Sequence, residues 1–363
     1  MHHLNRQTQA QTPQNGKSVR GRRSRRILLG FSLAAGLFAL VAAGCASAGA
    51  LFFRSNFRKG GYLESWDEKD GRVLSSLSYG EKRTDKYDLY LPAGVKPDSE
   101  TPLLLMIHGG SWTTGQREDV AYACKYYAKK GCITATMDYS LVSDNHPEIT
   151  IKTMLDEITA CTAALKKQLE KEGYRVSGMA IGGYSAGAHL ALLYAYSRAA
   201  DSAFPIAFVF EKVGPVSFRR EFWDERTSAA LIGYGAGIPA DPKKLDTPEL
   251  IEAADALSPL HFVREGVPPT IFAYGGKDTL VRPVHRIELA KALEEHHVPN
   301  RCIEFPNSNH MLWNDPDSTE EFREAVLRYC RQYLKLPADT EANGPSASRS
   351  GGSDTDVKPV EEP

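Results

Sequence analysis

Three side chains in this 363-residue chain are of the types that nucleophilic acyl transfer needs. Ser185 lies in Gly183-Tyr184-Ser185-Ala186-Gly187, Asp278 in Gly275-Gly276-Lys277-Asp278-Thr279, and His310 in Asn307-Ser308-Asn309-His310-Met311. A serine hydroxyl is a weak nucleophile until a base takes its proton, and the base must be oriented by a third group. The glycines at 183 and 187 fit a tight strand-to-helix turn in which side chains would collide with neighbouring elements. Acyl transfer also creates an oxyanion, and backbone N–H groups aimed at it are usually the largest single contribution to catalysis. His108-Gly109-Gly110-Ser111-Trp112 follows an apolar run and offers such donors. The expected oxyanion donors are the N–H groups of Gly110, Ser111 and Ala186, with His108, Gly109 and Trp112 supporting the loop. Of the other candidates, His189 falls in the helix after the turn, His285, His296 and His297 on or near an exposed helix, and His261 in an insertion. Asp255 and Asp315 do not directly follow a strand.

These residues require a scaffold. Apolar or alternating runs at 72–79, 86–92, 101–108, 132–139, 178–183, 204–210, 269–274 and 301–305 read as strands. Helical spacing is read over 149–172, 188–196, 285–296 and 319–334, with Met154, Leu155, Ile158, Cys161 and Leu165 along one side of the first. Strands separated by helices imply an α/β protein with a mainly parallel, doubly wound sheet and helices on both faces. Asp278 and His310 then fall in loops at the carboxyl ends of strands, where open α/β sheets place their ligands. The stretch 213–263 exceeds a simple connection and carries Phe218, Phe222, Trp223, Leu231, Ile232 and Tyr234. It reads either as a lid over the acyl or alcohol pocket or as aromatic packing into the core.

Charge is unevenly distributed. The formal net charge is -1, yet ten Lys or Arg residues and no acid precede Glu64, leaving about -11 on the remainder. An acidic body argues against nucleic acid as a partner, since neutralising phosphates needs a basic face. Residues 1–26 read as a basic cytoplasmic segment. Residues 27–53 contain no charge and are long enough to cross a bilayer, and the heavier basic flank before them orients the body outward. A retained anchor, a lipoprotein box at Ala42-Ala43-Gly44-Cys45 and a twin-arginine signal at Arg25-Arg26 are competing forms of this export signal. The expected body spans 60–336, and 337–363 reads as a disordered tail. Cys132, Cys161 and Cys302 sit in apolar runs and read as buried thiols. No phosphate loop, dinucleotide fingerprint or zinc-spaced His/Cys set occurs, so neither cofactor nor metal is expected.

Taken together, the HGGxW stretch at His108–Trp112, the serine turn, Asp278 and His310 resemble the carboxylesterase and lipase-like branch of the α/β-hydrolase superfamily. The HGGxW form is similar to feruloyl and acetyl esterases and to kynurenine formamidase. The lipase-like esterases typically have a third glycine where this chain has Ser111. The resemblance covers about Tyr79 to Leu334 and implies a serine hydrolase of small-molecule or glycan-linked carboxylic esters, with a peptidase or formamidase as the alternative chemistry and an inactive hydrolase-fold binding module as the non-enzymatic one. No oligomeric state follows from the sequence.

Overall fold

The computed structural model describes residues 64–95, 100–143 and 145–337. The expectations for 1–26, for the 27–53 span with Cys45, and for nearly all of the 337–363 tail lie outside the described residues. Among the described residues, no helix is long and apolar enough to cross a membrane.

Eight strands form one sheet: β1 (Gly71–Ser78), β2 (Lys86–Pro92), β3 (Leu103–Ile107), β4 (Ile133–Met137), β5 (Met179–Tyr184), β6 (Ile206–Lys212), β7 (Thr270–Gly275) and β8 (Asn300–Phe305). Their spatial order is β1-β2-β4-β3-β5-β6-β7-β8. The β1–β2 and β2–β4 pairs are antiparallel, and every pairing from β4 to β8 is parallel. The mainly parallel sheet read from the sequence is therefore present. All five residues of β3 and of β4 are buried, as expected of central strands in a sheet covered on both faces, and the Thr134 and Thr136 hydroxyls of β4 donate to the Cys124 and Arg117 carbonyls. β1 at the edge alternates between exposed and half-buried positions.

The helices are α1 (Ala121–Lys129), α2 (Ile151–Lys171), α3 (Ala186–Ser197), α4 (Glu225–Ala236), α5 (Pro248–Ala256), α6 (Val284–Glu295) and α7 (Pro316–Leu334). Thr150 caps α2 by accepting from the Thr153 N–H, while the Thr153 hydroxyl accepts from the Thr150 N–H. The expected face of Met154, Leu155, Ile158, Cys161 and Leu165 is buried. α3 is apolar all round, and its residues from Ala186 to Tyr196 are all buried, so it is a central helix.

Two features depart from the sequence analysis. α1 was not anticipated: AYACKYYAK mixes polar and aromatic residues, and only Cys124, Tyr127 and Ala128 are buried. The 213–263 insertion contains α4 and α5, and Phe218, Phe222, Trp223, Leu231 and Ile232 pack inward. Of the two readings of those aromatics, core packing describes what they do. Cys124, Cys132, Cys161 and Cys330 are buried free thiols, and Cys302 is partly buried.

The crossing of α3 over the end of β3 leaves no room for a side chain. A Cβ on Gly187 would lie 2.2 Å from the Ile107 carbonyl oxygen and 2.4 Å from that of His108. Backbone cannot swing aside as a side chain can, so Gly187→Ala is expected to destabilise the fold by about 3 kcal/mol, the upper end of ordinary overpacking costs. Chemical denaturation of the variant against wild type measures it; an unchanged midpoint would contradict the packing described.

Candidate active site

Ser185 sits between β5 and α3 with φ 53 and ψ -117, a conformation that costs a non-glycine residue about 1–3 kcal/mol. Its neighbours hold it there. The Ser185 N–H donates to the Lys212 carbonyl at 2.9 Å, and its own carbonyl accepts from the His189 N–H at 3.0 Å. A Cβ on Gly183 would meet the Gly187 backbone at 2.4 Å, so both glycines are required by the turn.

The structure brings together the three side chains singled out in the sequence. His310 Nε2 is 3.0 Å from Ser185 Oγ, and its Nδ1 is 2.8 Å from Asp278 Oδ2. With Nδ1–H donating to the carboxylate, Nε2 is left to accept the serine proton. The Asp278 side chain is fully buried, and its Oδ1 accepts from the N–H groups of Leu280 at 2.8 Å and Val281 at 3.0 Å. Those bonds fix the carboxylate and satisfy it without a positive side chain.

His310 rides on a loop after β8 that is cross-tied internally. Asp315 accepts from Asn307 N–H, from Asn307 Nδ2 at 2.9 Å and from the Ser308 hydroxyl at 2.6 Å. The Ser308 hydroxyl oxygen in turn accepts from the Asn314 N–H at 2.9 Å. The Tyr184 hydroxyl, one residue before the serine, donates to the His310 carbonyl. Asp315 and Tyr184 thus position the imidazole, and neither role was visible in the sequence. The clue for Asp315 was its spacing of eight residues from Asn307, which closes a polar turn.

Opposite the imidazole lies the loop after β3. Gly110, Ser111 and Trp112 adopt φ of 118, 53 and 60 in succession. Thr113 and Thr114 N–H both donate to the Gly110 carbonyl, at 3.0 and 2.9 Å. Successive residues of this kind turn their N–H groups into a common concavity suited to an anion. The N–H groups of Gly110, Ser111 and Ala186 donate to nothing among the described residues. Gly109 lies against the serine, where an added Cβ would be 2.8 Å from the Tyr184 carbonyl and 3.3 Å from Ser185 Cβ. Trp112 anchors the loop: its buried ring meets His189 edge-on at 5.1 Å and Phe218 of the insertion at 5.5 Å. His108 donates Nδ1–H to the Gly109 carbonyl at 2.7 Å and stacks on Tyr139 at 4.2 Å.

Three other histidines of the fold are buried. Burial pushes His108 down to about 4, His189 to about 4 and His285 to about 3, so all three are neutral imidazoles. None of them contacts the serine hydroxyl, which leaves His310 as the base within reach. His285 was expected on an exposed helix; it is fully buried instead, accepting the Val216 N–H at 3.1 Å and packed by Phe222 and Trp223, because the insertion covers the start of α6. Burial also pushes Glu211, beneath the start of α3, up to about 8 despite the Gly214 N–H it accepts at 2.8 Å.

These shifts make stability depend on pH. An imidazole depressed in the fold leaves the unfolded chain with more protons, so its contribution is complete above the unfolded value near 6.5 and is lost as pH falls toward 4. Glu211 acts oppositely, its contribution being lost as pH rises from about 4.5 to about 8. Between about pH 5 and 6, three imidazoles outweigh one carboxyl, and unfolding free energy is expected to fall by roughly 2–3 kcal/mol per pH unit on acidification. His189→Gln is expected to reduce that slope by about 1.4 kcal/mol per pH unit; urea titrations across this window measure both.

Comparison with known proteins bears on the family and the fold. Residues 87–293, more than half of the chain, match the sequence profile of the BD-FAE family. Esterase LipQ of Mycobacterium tuberculosis is 24% identical over 249 residues, covering 65% of this chain and 56% of LipQ. Kynurenine formamidase of Danio rerio is 28% identical over 122 residues, covering 34% of this chain and 38% of that enzyme. The matched stretches therefore span well under two thirds of these relatives. Among solved structures, esterase B from Lactobacillus rhamnosis superposes with a TM-score of 0.62 at 20% identity, covering 81% of this chain and 96% of the esterase. A truncated carbohydrate esterase from gut microbiota gives 0.61 at 17% identity, covering 74% and 99%. Both likenesses carry the fold. The chain belongs to the BD-FAE family and has the α/β-hydrolase fold.

Proposed function

We propose that the protein is a serine hydrolase of carboxylic esters. The observation that carries the reading is the continuous relay from the Ser185 hydroxyl through His310 to Asp278, at 3.0 and 2.8 Å. In the proposed mechanism Ser185 Oγ attacks the ester carbonyl as His310 Nε2 takes its proton, and Asp278 holds the ring and offsets the imidazolium charge. The tetrahedral oxyanion is received by the N–H groups of Gly110, Ser111 and Ala186. Collapse expels the alcohol, which leaves with the proton from His310, and an acyl-Ser185 ester remains. Water, deprotonated by the same imidazole, then releases the acid and restores the serine.

The relatives support ester chemistry over amide chemistry. LipQ, named an esterase, matches 65% of the chain, whereas the formamidase matches 34%. The carbohydrate esterase among the structural neighbours supports glycan-linked esters beside small soluble ones. The uncharged 27–53 run and its basic flank are the ground for placing the body outside a membrane, tethered at its N-terminus.

A fluorophosphonate probe is expected to label wild type and leave Ser185→Ala unlabelled. Asp278→Asn is expected to lower kcat for nitrophenyl acetate roughly a thousandfold or more with KM little changed, because the wrong tautomer is then presented to the serine. Labelling of Ser185→Ala equal to wild type would remove the serine from its role. Faster turnover of an N-formyl anilide than of the ester would assign the site to formamides.

A further inference from the structure

A cleft lies on the sheet face covered by α1 and α7, behind the serine turn. Its floor is apolar, from Met106, Val120 and Phe210, and its walls are Tyr126, Tyr127 and Phe322. One cation opens into it without a carboxylate. Lys212 Nζ makes no hydrogen bond or ion pair among the described residues and lies 4.4 Å from the centre of the Phe322 ring and 5.7 Å from that of Phe305. The second cation of the cleft, Arg323, sits 4.2 Å over Tyr126 and is paired with Glu320 at 2.5 Å. No acidic residue is among those lining the cleft.

We infer that this cleft is a binding site for a short-chain monocarboxylate, with the anion on Lys212 Nζ and the alkyl chain on the Met106, Val120 and Phe210 floor. The reasons are chemical. An ammonium taken from water without a counter-ion is costly, and an anion in reach offsets that cost. Burial, with Arg323 adding to it, pushes the Lys212 amine down to about 7, so a bound carboxylate would restore its proton. The other charged or titratable groups lining it are Arg323 of α7, Tyr122, Tyr126 and Tyr127 of α1 and Tyr184 of β5, and Glu320 beside them is already committed to Arg323. A single unmatched positive charge suits a monoanion, and the apolar lining suits a short alkyl chain more than a phosphate. The site is distinct from the serine, since none of Ser185, Asp278 and His310 lines the cleft. It is also mechanically joined to it: the Lys212 carbonyl accepts the Ser185 N–H, and the Tyr184 hydroxyl donates to the His310 carbonyl.

The test is calorimetric titration of the full-length protein with butyrate and, separately, with neutral butyramide. Butyrate is expected to bind at one site that survives fluorophosphonate treatment, with butyramide at least tenfold weaker. Lys212→Met is expected to weaken butyrate roughly tenfold or more, the effect of losing one charge-assisted hydrogen bond. Ala123→Phe, which fills the cleft from α1 without altering any charge, is expected to weaken it as well and decides the matter if Lys212→Met does not fold. Undiminished binding in a folded Lys212→Met, undiminished binding in Ala123→Phe, loss of binding on phosphonylation, or no binding by wild type would each overturn the assignment. Failure of the probe to label Ser185 would count against ester hydrolysis and leave these titrations to decide the cleft.

Discussion

The backbone of Ser185, held at positive φ between β5 and α3, is the constraint on which the rest of the site depends. A residue there pays a conformational penalty that only close packing can offset. The packing is backbone against backbone: Gly183 on Gly187, Gly187 on the carbonyls that end β3, and the Ser185 N–H on the Lys212 carbonyl of β6. Three adjacent strands and one buried helix therefore meet at a single residue. That meeting lifts the hydroxyl clear of the sheet and sets the Ala186 N–H beside it, at the start of α3. It also fixes the distance to the β3 loop, because the same glycine contacts that hold the turn bring Gly109 against the serine.

Around this point the polar groups are immobilised by hydrogen bonds in which no positive side chain takes part. Asp278 is held by two backbone N–H groups, and the His310 loop by Asp315 through Asn307 and Ser308. The loop after β3 is held by Trp112, which meets the stacked rings of His189 and Phe218 edge-on. His189 itself donates Nε2–H to the Leu257 carbonyl, which ties α3 to the segment after α5. The insertion thus acts as a buttress behind the loop. Keeping His108, His189 and His285 uncharged avoids placing fixed positive charges near the His310 imidazole.

Much of the sheet was legible because parallel strands covered on both faces read as apolar runs, unbroken in Leu103–Ile107 and interrupted only by two threonines in Ile133–Met137. The order Ser, Asp, His was legible for the same reason, since each falls just after such a run. What escaped was decided by contacts between elements far apart in the chain. α1 has too few buried positions to show a clear apolar stripe, and it is stabilised by docking on the sheet. His285 lies on a helix whose pattern is mostly polar, yet Phe222 and Trp223 from the insertion close over it. Tyr184 looked like a filler residue of the turn motif until the β8 loop brought the His310 carbonyl to its hydroxyl.

By itself the sequence determined the period of each strand, the glycines without which the serine turn cannot close, and the residue types available for proton transfer. These are local properties, set by side-chain pattern and backbone freedom within a few residues. The tertiary structure alone decided which imidazole faces the hydroxyl, which carboxylate orients it, that the insertion's aromatics turn inward, and that Lys212 opens without a counter-charge into a cleft between α1 and α7. Those outcomes depend on distances across 32 to 125 residues of chain, which only the packing of helices on a shared sheet can set.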